Sequence, residues 1–445
     1  MEKPVKLTNK NFMLLWQGQF VSKLGTHIYL IAMVWWMKNA FESATLIGLL
    51  WTSAAVPVVL FSAIGGVFAD RYSRRNIIIF SDLINGLATL SLAAVMFTTP
   101  DATILIAVWL FCITILASTV NSFFGPAISA SIPDLVPEEK LSAANSMSQF
   151  AEQVSLFIGQ GIGSTLFKIL GAPIVVLIDG ISYIFSAISE IFIKIPQVFP
   201  EKEKDLKSQY QSFKNDLWEG IVYIKENTGL KMLLFVSIFI NFFTMPVIVL
   251  LPFYVDNFLK VSVDWYSFFL ASHGIGILFG YISVGIFNLH GKVRSKMFII
   301  FTIIESGGYG ILGLVTSAPL AVFLAFIGGM FNGFIMVTII TILQLSTPSA
   351  IRGRVFGVLT TLSGSIAPIG MLLGGLAGDL TGQNIPLIYM FCGVIMAVLS
   401  ILISFSRPYR KFLAFEPKTK LAPEGFTYKI KIWGHDEASY IDINK

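Results

Sequence analysis

The feature that most constrains this chain is a long series of apolar runs. Each run is about as long as the roughly 20 residues that an α-helix needs to cross a bilayer. Hydrophobic residues make up 55% of the 445-residue chain and charged residues 13%, too apolar a composition for a soluble protein of this size. We count twelve runs, at residues 12–36, 44–69, 76–98, 103–125, 145–170, 172–194, 231–256, 265–288, 295–316, 319–344, 354–379 and 384–406. The sequence therefore predicts an all-α membrane protein with twelve transmembrane helices.

The basic residues between these runs predict the orientation. With the amino terminus inside, the Arg71–Arg75 loop, the 195–230 linker and the tail all lie in the cytoplasm, where Lys and Arg accumulate. Only Lys38, Lys168 and Lys260 are then outside. Both termini are expected to be cytoplasmic. The basic residues behind the net charge of +5 are distributed according to topology rather than clustered on one face, so this charge does not indicate a nucleic-acid partner.

The loop between the second and third runs carries a recognisable motif. It reads Gly-Gly-Val-Phe-Ala-Asp-Arg-Tyr-Ser-Arg-Arg over 65–75 and resembles the loop 2–3 signature of the major facilitator superfamily. The resemblance implies two pseudo-symmetric six-helix halves. It also implies that Asp70, Arg71, Arg74 and Arg75 pair across helix ends and govern a conformational switch.

Three further segments resemble bacterial drug:proton antiporters of the macrolide-efflux type. They are the start of the first run (11–19), the loop from 126 to 145, and the run 351–357. This resemblance implies a secondary transporter of the bacterial plasma membrane that exports a hydrophobic or amphiphilic drug or metabolite in exchange for protons. The fifth helix has Gly159-Gln160 where such antiporters often have Gly-Pro, so its antiporter motif is incomplete. Gly159 and Gly163, spaced four residues apart, are expected to let another helix approach closely.

Two predicted helices carry polar stripes. Gln19, Lys23 and His27 recur every four residues and share one face of the first helix. In the fifth helix, Gln149, Glu152, Gln153 and Gln160 fall in one narrow sector. Charged groups at this depth rarely face lipid. We expect Glu152 to carry the coupled proton with Lys23 as its partner; a permanently paired, structural Glu152 is the alternative.

The resemblance also implies which residues line a central cavity, because helices 1, 4, 7 and 10 surround it in the family. Aromatic and Met-rich walls suit a bulky amphiphile. The predicted lining set comprises Gln19, His27, Asn121, Gln149, Phe235, Phe239, Asn241, Phe242, Asn332 and Met336.

Other intramembrane acids are expected to have structural roles. The sixth run places Asp179, Ser182, Tyr183, Ser186 and Glu190 on one face, typical of hydrogen bonding inside a bundle. Glu305 in the ninth run is interpreted in the same way. We expect Asp82, near the start of the third run, to help anchor the arginines of the signature loop.

The chain divides into an N-terminal half (1–194), a linker (195–230), a C-terminal half (231–406) and a soluble tail (407–445). Within the linker, Phe213, Leu217, Ile221 and Ile224 have the spacing of an interfacial helix. In the tail, alternation over 426–432 and a second run at 440–443 predict a small hairpin. A shared offset of 211 residues relates 137–141 to 348–352, and Gly159 and Gly163 to Gly370 and Gly374, as a duplicated half would.

Several classes of function lack support. We find no phosphate-binding Gly loop, no metal-ligand cluster and no catalytic triad in a supporting context, so we expect neither an enzyme nor a cofactor. Cys112 and Cys392 fall within apolar runs and are interpreted as packing residues. The expected partners are a small-molecule substrate, protons and the bilayer, with a monomer as the family default. A dedicated exporter of a siderophore or peptide product and a transporter-like sensor that signals through the tail are the alternatives.

Overall fold

The computed structural model describes residues 9–197, 218–287, 289–416, 429–434 and 437–442. The first six helices are α1 (Lys10–Phe41), α2 (Ala44–Arg71), α3 (Arg74–Thr98), α4 (Thr103–Leu135), α5 (Leu141–Leu170) and α6 (Ala172–Ile191), with a 3-10 turn at Glu138–Lys140. The later helices are α7 (Thr228–Val249), α8 (Asp264–Phe287), α9 (Gly291–Leu312), α10 (Ala318–Ser346), α11 (Ser349–Ser365), α12 (Ala367–Leu380), α13 (Ile385–Ser404) and α14 (Arg407–Leu413). A short turn at Leu251–Phe253 and a π-helical turn at Tyr254–Phe258 follow α7.

Within the described residues, ten helical segments are long and apolar enough to cross a membrane. The segment 351–380, which comprises most of α11 and all of α12, is one of them. The long helices α1 and α5 are not among the ten. They are the helices with the polar stripes, since α1 contains three lysines and α5 contains Glu152 and Lys168. The chain is thus a polytopic α-helical membrane protein, and the count of twelve spans stays a prediction.

The helices pack as two groups. In the N-terminal group (α1–α6), α1 lies against α5 and α6, α3 against α6, and α2 against α4. In the C-terminal group (α7–α14), α8 lies against α10, α9 against α13, and α7 against α12 and α13. The two groups meet chiefly where α2 contacts α12 and where α5 contacts α8.

Glycines allow the closest of these approaches. A Cβ atom at Gly159 of α5 would lie 2.4 Å from the Cβ of His27 of α1, and one at Gly163 would lie 2.8 Å from Ile31. The predicted close approach of a helix at Gly159 and Gly163 is therefore confirmed. Between the groups, a Cβ at Gly48 of α2 would lie 2.5 Å from the carbonyl oxygen of Met371 of α12.

The connections define two ends of the bundle. We call the end that carries the 72–73 turn the signature end, and the opposite end, with the turns at 42–43, 171 and 381–384, the clamped end. At the signature end α14 returns against α7, where Tyr409, Phe412 and Leu413 are buried.

The tail and the linker are described in part. Strands β1 (Lys429–Gly434) and β2 (Glu437–Asp442) pair antiparallel, with Lys429 opposite Asp442, where the alternating pattern predicts a hairpin. Residues 426–428 of the predicted first strand lie outside the described residues. So do Phe213 and Leu217 of the predicted interfacial helix, whereas residues 218–226 are helical.

Candidate functional site

A cavity of about 520 Å³ lies between the two helix groups. Its wall is mainly apolar, with a small number of polar side chains placed among aromatic and aliphatic ones. That mixture is typical of small-molecule sites. The N-terminal group contributes residues of α1, α2 and α5, and the C-terminal group contributes residues of α7 to α10. The polar lining residues include His27, Gln153, Gln160, Thr244, Tyr266, His273, Glu305, Tyr309 and Asn332.

A cluster of three titratable residues lies beside this cavity. Lys23 of α1 donates a hydrogen bond to Oε2 of Glu152 on α5, and Nε2 of His27 lies 3.6 Å from Oε1 of the same carboxylate. The side chains of Lys23 and Glu152 are 34% and 37% exposed, so the ion pair is accessible rather than sealed. The structure thus brings together the two residues that the sequence predicts as partners, and His27 connects them to the cavity wall.

This cavity has a different lining from the one predicted for a central cavity, which stays a prediction. Of the ten predicted residues, His27 and Asn332 line it. The other eight are absent from its lining: Gln19, Asn121, Gln149, Phe235, Phe239, Asn241, Phe242 and Met336. Helices α5, α8 and α9 supply much of the wall, and among the described residues α4 supplies none. The cause is the contact of α5 with α8, which brings these two helices together between the groups.

The residues outside the lining have other surroundings. Gln19 is buried and donates to Oε1 of Glu190 (2.9 Å), whereas Asn121 accepts a hydrogen bond from Asn85 of α3 (3.1 Å). Asn241 donates to the Ser237 carbonyl of its own helix (2.9 Å). Gln149 is exposed, as is Met336. On α7, an aromatic row joins Phe235 to Phe239 (ring centroids 4.6 Å apart), Phe239 to Phe243 (6.2 Å) and Phe242 to Phe243 (5.0 Å).

The sequence predicts only a structural role for Glu305 of α9, whereas the structure places this residue on the cavity wall. Its side chain is nearly buried and accepts a hydrogen bond from Nδ2 of Asn332 on α10 at 2.8 Å. Tyr309, one turn further along α9, lines the same wall. The available signal was an acid in the middle of an apolar run, which is by itself a reason to suspect a functional site.

Three of the signature residues, Asp70, Arg74 and Arg75, form a compact cluster of polar contacts within the N-terminal group, which we call the signature lock. Arg74 contacts the Asp134 carboxylate at the end of α4 (2.6 Å), the Ala130 carbonyl (2.9 Å) and Asp70 at the end of α2 (3.5 Å). Arg75 donates to the carbonyls of Ile191 and Ile193 at the end of α6. The guanidinium groups thus bind the carboxyl ends of α4 and α6, where unpaired carbonyl groups favour a cation.

At the clamped end, charged contacts join the two groups. Lys38 of α1 pairs with Asp256, and Lys168 of α5 pairs with Asp264 at the start of α8 (2.8 Å). Asp379 of α12 accepts hydrogen bonds from the hydroxyl of Ser43 (2.7 Å) and from the backbone N–H groups of Ala44 (2.8 Å) and Thr45 (3.0 Å). It therefore caps α2 from the other helix group, with a carboxylate at the positive end of the helix dipole.

A second set of acids is buried inside the N-terminal group. Asp82 of α3 lies beside Ser186 and Glu190 of α6, and Gln19 of α1 contacts Glu190. The prediction that Asp82 anchors the arginines of the signature loop is wrong for Arg74 and Arg75, because these two bind Asp134, Asp70 and backbone carbonyls at the helix ends. The predicted burial of the α6 face is confirmed, since Asp179, Ser182, Tyr183, Ser186 and Glu190 are all buried.

Together, the helix arrangement, the cavity between two groups and the intramembrane charges define a membrane transporter with the major facilitator fold. The profile of the transmembrane secretion effector family matches residues 4–431, nearly the whole chain. The chain belongs to that family, which is part of the major facilitator superfamily, and it is not an enzyme.

Curated relatives and solved structures agree with this assignment. Macrolide efflux protein A of Streptococcus pyogenes is 25% identical over 378 residues, which cover 84% of this chain and 90% of that protein. The multidrug efflux pump Tap of Mycolicibacterium fortuitum is 24% identical over 371 residues, covering 81% and 87%. The crystal structure of the nucleoside transporter NupG has a TM-score of 0.67 at 14% identity, covering 91% of this chain and 99% of that one. The last comparison concerns the fold alone.

Proposed function

We propose that this protein exports a hydrophobic or amphiphilic drug or metabolite across the bacterial plasma membrane by alternating access, in exchange for protons. Glu152 carries the proton and Lys23 is its alternating partner. The observation that carries the proposal is the position of the Lys23–Glu152 pair beside a mainly apolar cavity shared by both helix groups. The names of the relatives support efflux as the direction.

The chemistry follows from the geometry of the pair. In the deprotonated state, the Glu152 carboxylate accepts a hydrogen bond from Lys23 and lies near His27. Protonation removes the negative charge, so the Lys23 ammonium loses its ion pair and the attraction between α1 and α5 weakens. A substrate that enters the adjacent cavity then meets a neutral carboxyl group rather than an ion pair. Proton binding and substrate binding are thereby linked through one side chain.

The cavity favours an amphiphile with few polar groups. Its aromatic and aliphatic wall provides a large area for an apolar body, and the Glu305–Asn332 pair provides a polar contact on the side opposite α1. A carboxylate in this position suits a neutral or cationic substrate better than an anionic one. This chemistry favours a drug-like amphiphile over an anionic siderophore.

The charged contacts at the clamped end indicate the transport state. With both termini in the cytoplasm, as the distribution of basic residues predicts, the clamped end faces outward. The structure then corresponds to a conformation closed to the outside. The signature lock holds the inner ends of α2, α4 and α6 together, so that the N-terminal group moves as a rigid unit when the clamp opens.

The test is accumulation of fluorescent amphiphilic dyes in efflux-deficient cells that express the wild type or Glu152→Gln, with and without a protonophore. We expect extrusion by the wild type that the protonophore abolishes, and loss of extrusion in the variant. Glu139→Gln is the matched control, because Glu139 is an exposed glutamate outside the helices of the cavity. It should extrude the dyes as the wild type does.

Three results would contradict parts of the proposal. Extrusion that persists in Glu152→Gln and stays sensitive to the protonophore would show that Glu152 does not carry the coupled proton. Extrusion by the wild type that is insensitive to the protonophore would show that export is not coupled to protons. If no dye is extruded although the protein is present in the membrane, the substrate is a dedicated metabolite rather than a range of drugs.

A further inference from the structure

Lys38 of α1 has surroundings that an ion pair alone does not require. Its side chain is 5% exposed, although it lies at the clamped end, and its ammonium group pairs with the Asp256 carboxylate. The same nitrogen lies 5.6 Å from the ring centroid of Trp35 and 5.6 Å from that of Phe253. Aromatic ring faces next to a carboxylate are the setting in which proteins bind the ammonium groups of organic ligands.

The other ion pair of the clamp, Lys168 with Asp264, shows the difference. Lys168 is 55% exposed, and its ammonium group lies 2.8 Å from the Asp264 carboxylate. Both cation–π contacts found among the described residues are made by Lys38. An exposed pair holds two helices together with little loss of hydration, whereas a buried ammonium group needs compensation from the groups around it. The surroundings of Lys38 thus favour a cation-binding site over a clamp alone.

The parts of this site belong to different helix groups. Lys38 and Trp35 lie on α1 of the N-terminal group, whereas Phe253 and Asp256 lie on the two turns that follow α7 in the C-terminal group. The π-helical turn with Asp256 is anchored within its own group, because the Tyr254 hydroxyl lies 2.9 and 3.1 Å from two carbonyl oxygens at and just beyond the end of α9. When the groups separate, Lys38 therefore leaves with α1, and the Phe253 ring and the Asp256 carboxylate become accessible together.

The site adjoins the cavity between the groups. Leu251, two residues before Phe253, lines the cavity wall, and so does Tyr266 near the start of α8. The ring of Trp35 packs edge-on against the ring of Tyr266, with the centroids 5.7 Å apart. A substrate that leaves the cavity towards the clamped end therefore passes the Phe253 ring and the Asp256 carboxylate.

We propose that Phe253 and Asp256 form an outer binding site for the ammonium group of a cationic substrate, and that Lys38 occupies this site whenever the clamp is closed. This inference rests on the proposed function for the direction of transport. In the open state the substrate moves from the cavity onto the outer site. As the groups close, Lys38 competes for the same ring and carboxylate, and its attachment to α1 gives it a high effective concentration there. The substrate is thereby released to the outside.

The test uses tetramethylammonium, a permanently charged cation that stays outside the cell and does not disturb a pH gradient. It is added to efflux-deficient cells during export of the neutral dye Nile red, with sodium chloride at equal concentration as the reference. The concentration that halves the export rate is the inhibitory concentration. We expect the wild type to be inhibited, because a cation on the outer site prevents the return of Lys38.

Three variants make the result specific. Lys168→Ala weakens the clamp without changing the outer site, so it measures the effect of easier opening alone. Lys38→Ala also removes the competing ammonium group, so its inhibitory concentration should be about 10-fold below that of Lys168→Ala. Asp256→Asn keeps the shape of a half-exposed side chain but removes its charge, and its inhibitory concentration should be about 10-fold above that of the wild type.

A binding measurement separates this inference from the proposed function, because it does not require transport. Tetramethylammonium chloride should raise the unfolding temperature of purified Lys38→Ala more than equal sodium chloride does, and more than tert-butanol, an uncharged molecule of similar shape. The gain should disappear in the double variant Lys38→Ala, Asp256→Asn. Gel filtration verifies folding, and if Lys38→Ala does not fold, the export assay on Asp256→Asn decides.

The outcomes distinguish the two proposals. Equal inhibitory concentrations for Lys38→Ala and Lys168→Ala, or inhibition that is unchanged in Asp256→Asn, overturn the outer site and leave export intact. Equal stabilisation by sodium chloride shows a site for small inorganic cations and overturns its assignment to organic ammonium groups. A wild type that extrudes no dye contradicts the proposed function, and the stabilisation of Lys38→Ala then decides by itself whether the cation site exists.

Discussion

The two helix groups differ sharply in what they place inside the membrane. The N-terminal group contains the Lys23–Glu152 pair with His27, the Asp82–Glu190 pair and Asp179. The described interior of the C-terminal group has Glu305 with Asn332, and His273, within a wall of aromatic and aliphatic residues. The difference supports the proposal that the first group carries the coupled proton, and it suggests the hypothesis that the second group makes most of the contact with the substrate.

The clamp repeats this asymmetry in its charges. The N-terminal group supplies Lys38, Lys168 and the amino terminus of α2, all of them positive. The C-terminal group supplies three carboxylates, those of Asp256, Asp264 and Asp379. Because the positive charges all lie on one helix group and the negative charges on the other, each contact adds to the attraction that holds the two groups together and so supports the other contacts. The asymmetry thus extends from the chemistry of the interior to the surface that closes it.

The largest effect that would test this division between the two groups is expected for Lys23→Met. The substitution replaces lysine with an uncharged side chain of similar length and leaves the Glu152 carboxylate without its cation. Removal of one partner from a fully buried pair costs about 3–5 kcal/mol, and here about 1–2 kcal/mol, because about a third of each side chain is exposed. We expect export to fall by at least about 10-fold, together with a lower unfolding temperature of the purified protein.

The double variant Lys23→Met, Glu152→Gln distinguishes coupling from stability. Because it removes both charges, it should recover much of the wild-type unfolding temperature, whereas dye extrusion that depends on the proton gradient should stay absent. Recovery of extrusion along with stability would show that the pair is structural, and proton chemistry would then have to be sought elsewhere in the N-terminal group.

Part of this asymmetry could be predicted from sequence. The four-residue spacing of Gln19, Lys23 and His27 places them on one helix face, and the cost of an isolated charge in a membrane requires that Lys23 find an acid. Glu152, in the polar sector of α5, is the acid that the sequence predicts. The Gly159 and Gly163 spacing correctly indicated that a helix approaches closely there, and the structure shows that this helix is α1.

The cavity wall could not be predicted in the same way. Periodicity says which residues share a face of one helix, but not which other helix that face meets. Gln19 lies on the same stripe as Lys23, yet it bonds to Glu190, since α1 packs on both α5 and α6. Similarly, Glu305 becomes part of the cavity through its contact with Asn332, a residue 27 positions away on α10.

The next effect in size concerns Asp379→Asn at the clamp. An amide in place of this carboxylate removes a charge from the amino terminus of α2 and leaves weaker acceptors for the hydroxyl of Ser43 and the two N–H groups. Charge-assisted bonds of this kind are worth about 1–2 kcal/mol, so the population open at this end should rise by about 5- to 30-fold. Asp101→Asn, at an exposed turn of the same end of the bundle, is the control.

The opening can be followed with a cysteine reporter. In a background where Cys112 is replaced by Ser, Leu30→Cys places a thiol on the cavity wall. A membrane-impermeant maleimide added outside intact cells should label it faster in Asp379→Asn than in the parent or in Asp101→Asn. Equal labelling in all three proteins would mean that the clamp does not depend on this carboxylate, and that the charge complementarity of the two groups is incidental to gating.

The smallest effect is expected for Glu305→Gln, and it tests the C-terminal side of the comparison. If this group contacts the substrate and does not carry the coupled proton, the substitution should weaken extrusion of cationic dyes by about 3- to 10-fold, the loss of one favourable contact of about 1 kcal/mol, and leave neutral dyes nearly unchanged. The response to a protonophore should be that of the wild type. Extrusion is measured for a matched pair of cationic and neutral dyes over a range of concentrations.

Asn332→Ala provides the control for a purely structural role of Glu305. Asn332 donates the hydrogen bond that holds this carboxylate, so its removal should reproduce a positional defect without removing the charge. If Glu305 recognises cations, Asn332→Ala keeps a preference for cationic dyes that Glu305→Gln loses. If instead Glu305→Gln abolishes the protonophore response for every dye, the C-terminal group carries proton chemistry as well, and the two groups divide the work less cleanly than their interiors indicate.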